Sequence, residues 1–362
     1  MCIRDRILRE LGMQQQEVAA SHATLSAPSW RRDLTREIDL IEEVARIHGY
    51  HEIPEDVGVP MAPSHRRDAD RVLDTIRQVL LAAGFLEAMT ASVIDDSASQ
   101  RFNPWTDAEP IRCNTPMLRG ADALRRSLIP SLLESRRVNE SLANETIELF
   151  ETAQVYLPRS GQLPDEQPLL ALTSGRSFHE VKGILEAIVD TLHISAPLEV
   201  APAHVGLLDP EGSCQFRLGG ELLGYLGTVS AEGLASTHLR YPTTVAELRL
   251  AVLQSAACLV PQHRPLSPFP AIAFDFNFIV DESVRWADLA ETVRQAGGDC
   301  LEQINYRETY RDPQRDGADR KRLLLSVKLR SAEQTLTGEQ ADAIHQAIVS
   351  ACQKRHSARL LT

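Results

Sequence analysis

The last stretch of this 362-residue chain constrains the fold most, because its apolar period changes in a fixed order. Ile272, Phe274, Phe276, Phe278 and Val280 alternate, which predicts a strand with one buried face. Leu289, Val293 and Ala296 then keep helical spacing as far as Gly297 and Gly298. Leu301–Tyr310 predicts a second strand, a polar loop (DPQRDGADR) follows, and Leu323, Leu325, Val327 and Leu329 alternate in a third. Thr337 with Gln340 predicts a capped start for a last helix that carries Ile344, Ile348 and Ala351 inward. A short strand at Ala358–Leu361 closes the order β-α-β-β-α-β, the split, ferredoxin-like unit.

Proline-rich joints at Pro60–His65 and Pro261–Pro270 divide the chain into segments 1–59, 60–262 and 265–362. In the first, Glu37–His48 predicts a helix. Leu40, Ile41, Val44, Ile47 and His48 fall on one face, with Thr35 as N-cap and Gly49 as stop. In the second, Val72, Leu73, Ile76, Val79, Leu80 and Ala83 predict a helix ended by Gly84, and Leu124–Asn139 predicts another. Ile147–Tyr156, Ser213–Leu218 and Leu222–Val229 read as strands. Helix and strand signals do not alternate regularly, so the class is α+β rather than a doubly wound sheet. Hydrophobic residues at 43% and charged residues at 24% suit a soluble chain. No run approaches the roughly 20 apolar residues of a membrane span, so a cytoplasmic protein with no membrane partner is expected. Cys2, Cys113, Cys214, Cys258, Cys300 and Cys352 show no Cys-x-x-Cys spacing, which favours free buried thiols.

Three sets of passages together resemble the beta subunit of bacterial phenylalanyl-tRNA synthetase. PSWRRDLTREIDLIEEVARIHGYHEIP (Pro28–Pro54) is similar to the end of that family's B5 domain. NTPMLRG (Asn114–Gly120), LRRSLIPSLLESRRVN (Leu124–Asn139), IELFETAQVYLP (Ile147–Pro158) and FHEVKGILEAIVDTL (Phe178–Leu192) resemble its degenerate class II synthetase-like, antiparallel-sheet core. FPAIAFDFNFIVDESV (Phe269–Val284), ETYRD (Glu308–Asp312) and RKRLLLSVKLRSAEQTLTGEQAD (Arg320–Asp342) resemble its ferredoxin-fold anticodon-binding domain. The likeness runs from about Ile7 to Thr362. It departs at Phe274-Asp275, where the family places Arg-Asp, and at Met1–Arg6, which do not match. It also implies upstream domains, including an oligonucleotide-binding fold and an editing site, that this sequence does not contain. A C-terminal fragment with a truncated B5 module is therefore expected.

By that resemblance, two alpha and two beta subunits join phenylalanine to its tRNA using ATP and Mg²⁺, and the alpha subunit supplies the adenylation site. The family's Mg²⁺ site, shared with alpha, uses an Asp, an Asp six residues on, and Glu-Glu nine and ten on. Asp33, Asp39, Glu42 and Glu43 match. Spacing alone says less. Asp39, Glu42 and Glu43 share a helix face and carboxylate oxygens suit Mg²⁺, yet an acidic run opposite an apolar stripe is ordinarily a solvated face.

The middle segment lacks a Phe-Arg-x-Glu before its IELFETAQVY strand, and Leu218–Gly227 (LGGELLGYLG) has no arginine and reads as a hairpin. With no Gly-Lys-Ser/Thr loop either, a non-catalytic body is expected. Ser127 and Ser131 read as helical without an evident base, and His48, His179 and His204 lack partners at metal spacing.

The formal net charge of -12 argues against a cationic coat for nucleic acid. From Pro265 onward, however, 13 basic residues stand against 14 acidic, a net of -1. Arg311, Arg315, Arg320, Lys321 and Arg322 cluster at one loop, and Arg320, Lys321 and Arg322 are the candidate tRNA contacts. Tyr306 and Tyr310 are candidates for base stacking. A free-standing RNA-binding or regulatory paralogue without ligase activity remains the alternative, and a neighbouring alpha-subunit gene separates the two.

Overall fold

The periods in the sequence become regular elements in a computed structural model, which describes residues 3–19, 22–54, 58, 61, 66–116, 118–263 and 265–361. Most of the joint at 60–65 lies outside these residues, as do Met1 and Cys2. Helix α1 (Ile3–Glu10) buries Ile7 and Leu8, so Arg4–Arg6 belong to a regular helix. Strands β1 (Gln14–Val18) and β2 (Ala23–Ser26) pair antiparallel. Helix α2 (Glu37–His48) follows with the predicted bounds, but its N-cap is Arg36 rather than Thr35. Asp39 causes the shift, because its Oδ2 accepts the N–H of Thr35 at 2.8 Å and of Arg36 at 2.7 Å. Both donors would otherwise be orphaned at the helix start. Gly49 ends the helix at φ 109°.

The next elements are α3 (Asp68–Ala82), β3 (Leu86–Glu87), β4 (Val93–Ile94), α4 (Asp96–Arg101), β5 (Ala123–Leu124) and α5 (Ile129–Ser141). Helix α5 starts later than the spacing predicts. Leu124 pairs with Val93 in a two-stranded ribbon, and Pro130 sits in the first helical turn, where its missing N–H does no harm. Then come β6 (Leu149–Leu157), β7 (Asp165–Ser174), α6 (Phe178–Thr191), β8 (Leu198–Pro202), β9 (Leu208–Leu218), β10 (Glu221–Val229), α7 (Ala231–Thr237), β11 (Thr244–Arg249) and α8 (Leu250–Ala256). The sheet order is β3-β6-β7-β11-β10-β9-β8. The β6–β7, β7–β11 and β10–β11 pairs are antiparallel, and β3 runs parallel to β6. Gly219 and Gly220 both have positive φ and turn β9 into β10, which is the hairpin expected there.

The last elements are β12 (Ile272–Asp281), α9 (Trp286–Gly297), β13 (Leu301–Tyr310), β14 (Arg320–Leu329), α10 (Gly338–His356) and β15 (Arg359–Leu360). They form the expected β-α-β-β-α-β order, with sheet order β13-β14-β12-β15. The Thr337–Gln340 capping box is formed in both directions, at 3.0 and 3.3 Å. The alternation places Phe274 on the helix-facing side, where its ring lies 5.1 Å from His345. The position at which the family has arginine thus serves the core here.

The chain forms two compact units. The first is Met1–Phe178, Pro202–Cys214 and Gly224–Gln254; the second is His179–Ala201, Gln215–Leu223 and Ser255–Thr362. The first has a core of Phe102, Leu128, Leu132, Leu133, Val155, Leu169 and Val245 among others. The second closes over Phe276, Phe278, Leu289, Val293, Leu325, Val327 and Ile348. Each such side chain contributes roughly 1.5–3 kcal/mol on leaving water. The thiols divide: Cys214 and Cys352 are buried, as expected, whereas Cys258 is exposed. Burial pushes the Cys352 thiol up to about 12, which leaves it inert.

Candidate functional site

Polar side chains gather in three places, one of them in the interior. The first lies along α2. Arg31 bridges two of the four candidate carboxylates, with Nη2 2.6 Å from Asp33 Oδ2 and 2.8 Å from Glu43 Oε1. Arg46 holds the other oxygen of Glu43 at 2.6 Å. These arginines keep the Glu43 carboxyl down at about 2, and hydrogen bonds from Arg31 lower Asp33. Asp39 is lowered by the backbone N–H groups of Thr35 and Arg36. Glu42 is exposed. A guanidinium therefore gathers Asp33 and Glu43, while Asp39 serves its own helix. Among the described residues no three His, Cys, Asp or Glu side chains are grouped to hold a metal ion. In this arrangement the four carboxylates are not a complete Mg²⁺ shell. Beside them, α1, β2 and α2 enclose a cleft of about 420 Å³ lined by Leu8, Leu25, Leu40, Ile41 and Val44. Ile38, Ile41 and Ile47 of α2 remain about half exposed.

The second group lies inside the middle segment. Arg125 and Glu151 are almost fully buried and meet at 3.1 Å. Thr90 gives Glu151 its N–H at 3.1 Å and its hydroxyl at 2.7 Å, and Arg125 Nε donates to the Gln154 carbonyl at 3.0 Å. Deeper still, Glu247 of β11 has no exposed surface. It accepts Trp105 Nε1 at 2.6 Å, Ser127 Oγ at 2.9 Å and the Leu128 N–H at 2.6 Å. Arg249 lies over the Trp105 ring, 4.7 Å from its centroid. Ser127 therefore has a carboxylate partner that its spacing did not reveal, and it precedes α5 rather than lying on it. Both groups are sealed from solvent, and Ser127 Oγ also accepts the Ile129 N–H at 3.1 Å. Glu247 and Ser127 thus take up the N–H groups of Leu128 and Ile129 where the chain enters α5.

The third group is on the C-terminal sheet and its β13–β14 loop. Lys321 Nζ donates to the Glu282 carbonyl at 2.6 Å, and Arg311 pairs with the Glu282 carboxylate. Arg322 pairs with Asp316 at 2.6 Å and lies 5.3 Å from the Tyr310 ring centroid. Arg320 is exposed and forms no ion pair among the described residues. Of the three candidate tRNA contacts, the fold leaves Arg320 the most available. Tyr306 and Tyr310 are about equally exposed, at 47% and 46%; Tyr310 lies on the face away from the helices, and the Tyr306 ring meets Trp286 edge-on at 5.4 Å. Exposed His179 and His204 belong to none of these groups, while His48 lines the α2 cleft.

The buried polar residues carry one faint signal in the sequence. Arg125, Glu151 and Glu247 interrupt apolar runs at positions where burial is expected, and a charge inside such a run needs a partner. Which partner it finds depends on strand pairing.

Comparison with known proteins gives a consistent picture. The family model described as the phenylalanyl tRNA synthetase beta chain CLM domain matches residues 53–250. The ferredoxin-fold anticodon binding domain matches 267–361, and the tRNA synthetase B5 domain matches 4–50. Arg4–Arg6, which were expected to fall outside the likeness, thus lie inside the B5 match. A phenylalanine–tRNA ligase beta subunit of Rhodopirellula baltica is 44% identical over 368 residues, covering 99% of this chain and 54% of that protein. One from Geobacillus kaustophilus is 32% identical over 354 residues, covering 93% and 44%. The chain spans about half the length of these curated relatives. Among solved structures, the pyrrolysyl-tRNA synthetase PylSc of Desulfitobacterium hafniense aligns at TM-score 0.43 and 18% identity, over 71% of this chain and 91% of that one.

Proposed function

The chain belongs to the phenylalanyl-tRNA synthetase beta-chain family, and we propose that it works within a beta subunit to support ATP-dependent attachment of phenylalanine to its tRNA. The unbroken order of three family domains across the chain carries this reading. The middle body is a scaffold without an adenylation site of its own. Transferring an adenylyl group needs fixed, available cations. Here Arg125 is committed to Glu151, and Arg249 is stacked on Trp105. An alpha subunit supplies the catalytic site, in an assembly of two alpha and two beta subunits in the cytoplasm. Among the described residues no helix is long and apolar enough to cross a membrane.

Alpha docks, in this reading, along α2, where exposed isoleucines adjoin the acidic face. Asp33, Asp39, Glu42 and Glu43 then share Mg²⁺ with it. When bound, the ion would neutralise these carboxylates and tie the two subunits together through oxygen ligands. Changing Glu42 and Glu43 to Gln is expected to weaken Mg²⁺-dependent assembly with purified alpha at least tenfold in analytical ultracentrifugation. The fold should be preserved, because α2 keeps its Asp39 cap. Assembly that is indifferent to Mg²⁺ and to the substitution would reduce the four carboxylates to a solvated face.

The tRNA lies on the C-terminal domain, held through phosphates by the start of β14, which carries Arg320, Lys321 and Arg322. Phosphate contacts position RNA without reading its sequence. The logarithm of the affinity for tRNA should therefore fall linearly with log salt, and Arg320→Ala should lower that slope by about one phosphate's worth on every tRNA tested. An unchanged slope would move the contact elsewhere.

A further inference from the structure

Where α5 runs into β6, a cavity of about 690 Å³ opens among the last turns of α5, the loop 143–148 and the turns 175–176 and 240–242. Arg136, which lines it, is only 3% exposed. Its Nη1 donates to the Ile147 carbonyl at 2.6 Å, and its Nε lies 3.3 Å from Glu140 Oε1. Nη2 forms no hydrogen bond among the described residues. Gly175 leaves room beside it. The φ of Gly175 is not positive, so the backbone does not call for glycine, yet a Cβ there would stand 3.2 Å from Nη2. Both buried carboxylates of the cavity already have donors. Glu140 Oε2 accepts the Arg240 N–H at 2.8 Å, while Glu148 accepts the Ser174 hydroxyl and, at 3.1 Å, the Gly175 N–H. Arg240 and Glu145, in contrast, are exposed, and neither side chain has an ion pair or hydrogen bond among the described residues. Tyr241 beside them is 60% exposed.

The volume is in the range of small-molecule sites. A buried guanidinium with an unused donor calls for an acceptor, and the cavity is where one can enter. The lining charges cancel, with Arg136, Arg176 and Arg240 against Glu140, Glu145 and Glu148. A phosphate group, which carries close to two negative charges, would crowd the two buried carboxylates. A zwitterion adds no net charge and meets free groups of both signs. Its carboxylate can take charge-assisted hydrogen bonds from the arginines, and its ammonium group can give them to a glutamate. We propose that this cavity binds a free aromatic α-amino acid: Arg136 and Arg240 take the carboxylate, Glu145 takes the ammonium group, and the side chain lies against Tyr241. The amino acid is held there and not activated. This site stands apart from the alpha and tRNA contacts, and its failure would leave those readings as they are.

The test is isothermal titration calorimetry of the full chain with L-phenylalanine, phenylalaninamide, phenylpropionate and inorganic phosphate. Phenylalanine is the probe because its ring can pair with that of Tyr241. It should bind, and the analogues that lack the carboxylate charge or the ammonium group should each bind about fivefold more weakly or worse. Arg240→Ala and Glu145→Gln should weaken phenylalanine by a similar factor without lowering Tm, because neither side chain holds another residue. Glu145→Gln should leave phenylpropionate unchanged, and phosphate should not compete. No heat from phenylalanine at millimolar concentration overturns the proposal. So does phosphate that competes, or phenylpropionate that binds as tightly as phenylalanine, since either marks a plain anion site. Phenylalanine binding that both substitutions leave unchanged lies elsewhere on the chain and overturns it as well.

Discussion

Replacing Arg125 or Glu151 singly with Ala is expected to destabilise the chain by about 3–5 kcal/mol, because either change leaves an uncompensated charge in the interior. The two side chains are 3% and 2% exposed, so water cannot take the place of the lost partner. Removing Glu151 also strips the acceptor from the Thr90 N–H and hydroxyl. Removing Arg125 takes donors from the Gln154 carbonyl and Thr90 Oγ1. Replacing both with apolar residues of similar volume should cost far less than the sum of the single changes, since no charge is then stranded. Urea unfolding of the three variants separates these cases. Single-variant losses under about 1 kcal/mol would mean that the pair behaves as a surface salt bridge.

Stability should also fall as pH rises from about 5 to 8, and Glu247 is the cause. Burial pushes its carboxyl from 4.5 up to about 7, against the donors from Leu128, Trp105 and Ser127. The folded chain then holds a proton that the unfolded chain has already lost. That contribution is fully present below about 4.5 and disappears as pH rises through about 7, on the order of 3 kcal/mol in all. Glu247→Gln keeps the shape and cannot ionise, so its stability should be flatter across the same window. Trp105 gives a second readout, since its indole N–H donates to Glu247. Parallel pH profiles for wild type and variant would exclude Glu247 as the cause.

The C-terminal fold is legible in the sequence because each of its elements buries one face, so the period in the sequence is the period of the structure. Spacing alone places Phe276, Leu289, Val293, Leu325 and Ile348 inward, and all five are core residues. The start of α5 escapes the same reasoning for the opposite reason. Leu124 is apolar and falls in step with the helix, yet it pairs with Val93, a residue 31 positions away. The buried partners of Ser127 and Arg125 are hidden likewise, because Glu247 and Glu151 reach them only through strand pairing. On and just before α2 the four acidic positions can be named through the family resemblance, but not the arginine that gathers two of them. Arg31 lies two residues from Asp33 and twelve from Glu43, and only the folded loop brings it to both. The two bulges of β13, between Leu301 and Gln303 and between Tyr306 and Glu308, leave no trace in the sequence, since Leu301–Tyr310 reads as one strand throughout.

If this chain serves tRNA charging through partners rather than by chemistry of its own, its activity must depend on alpha. The decisive measurement is phenylalanine-dependent pyrophosphate exchange together with charging of phenylalanine tRNA, made with the purified chain alone, with alpha alone and with the two combined. Neither activity is expected from the chain alone, and tRNA charging should rise when the chain is added to alpha. Exchange catalysed by the chain without alpha, or charging by alpha that the chain leaves unchanged, would contradict a partner-dependent role.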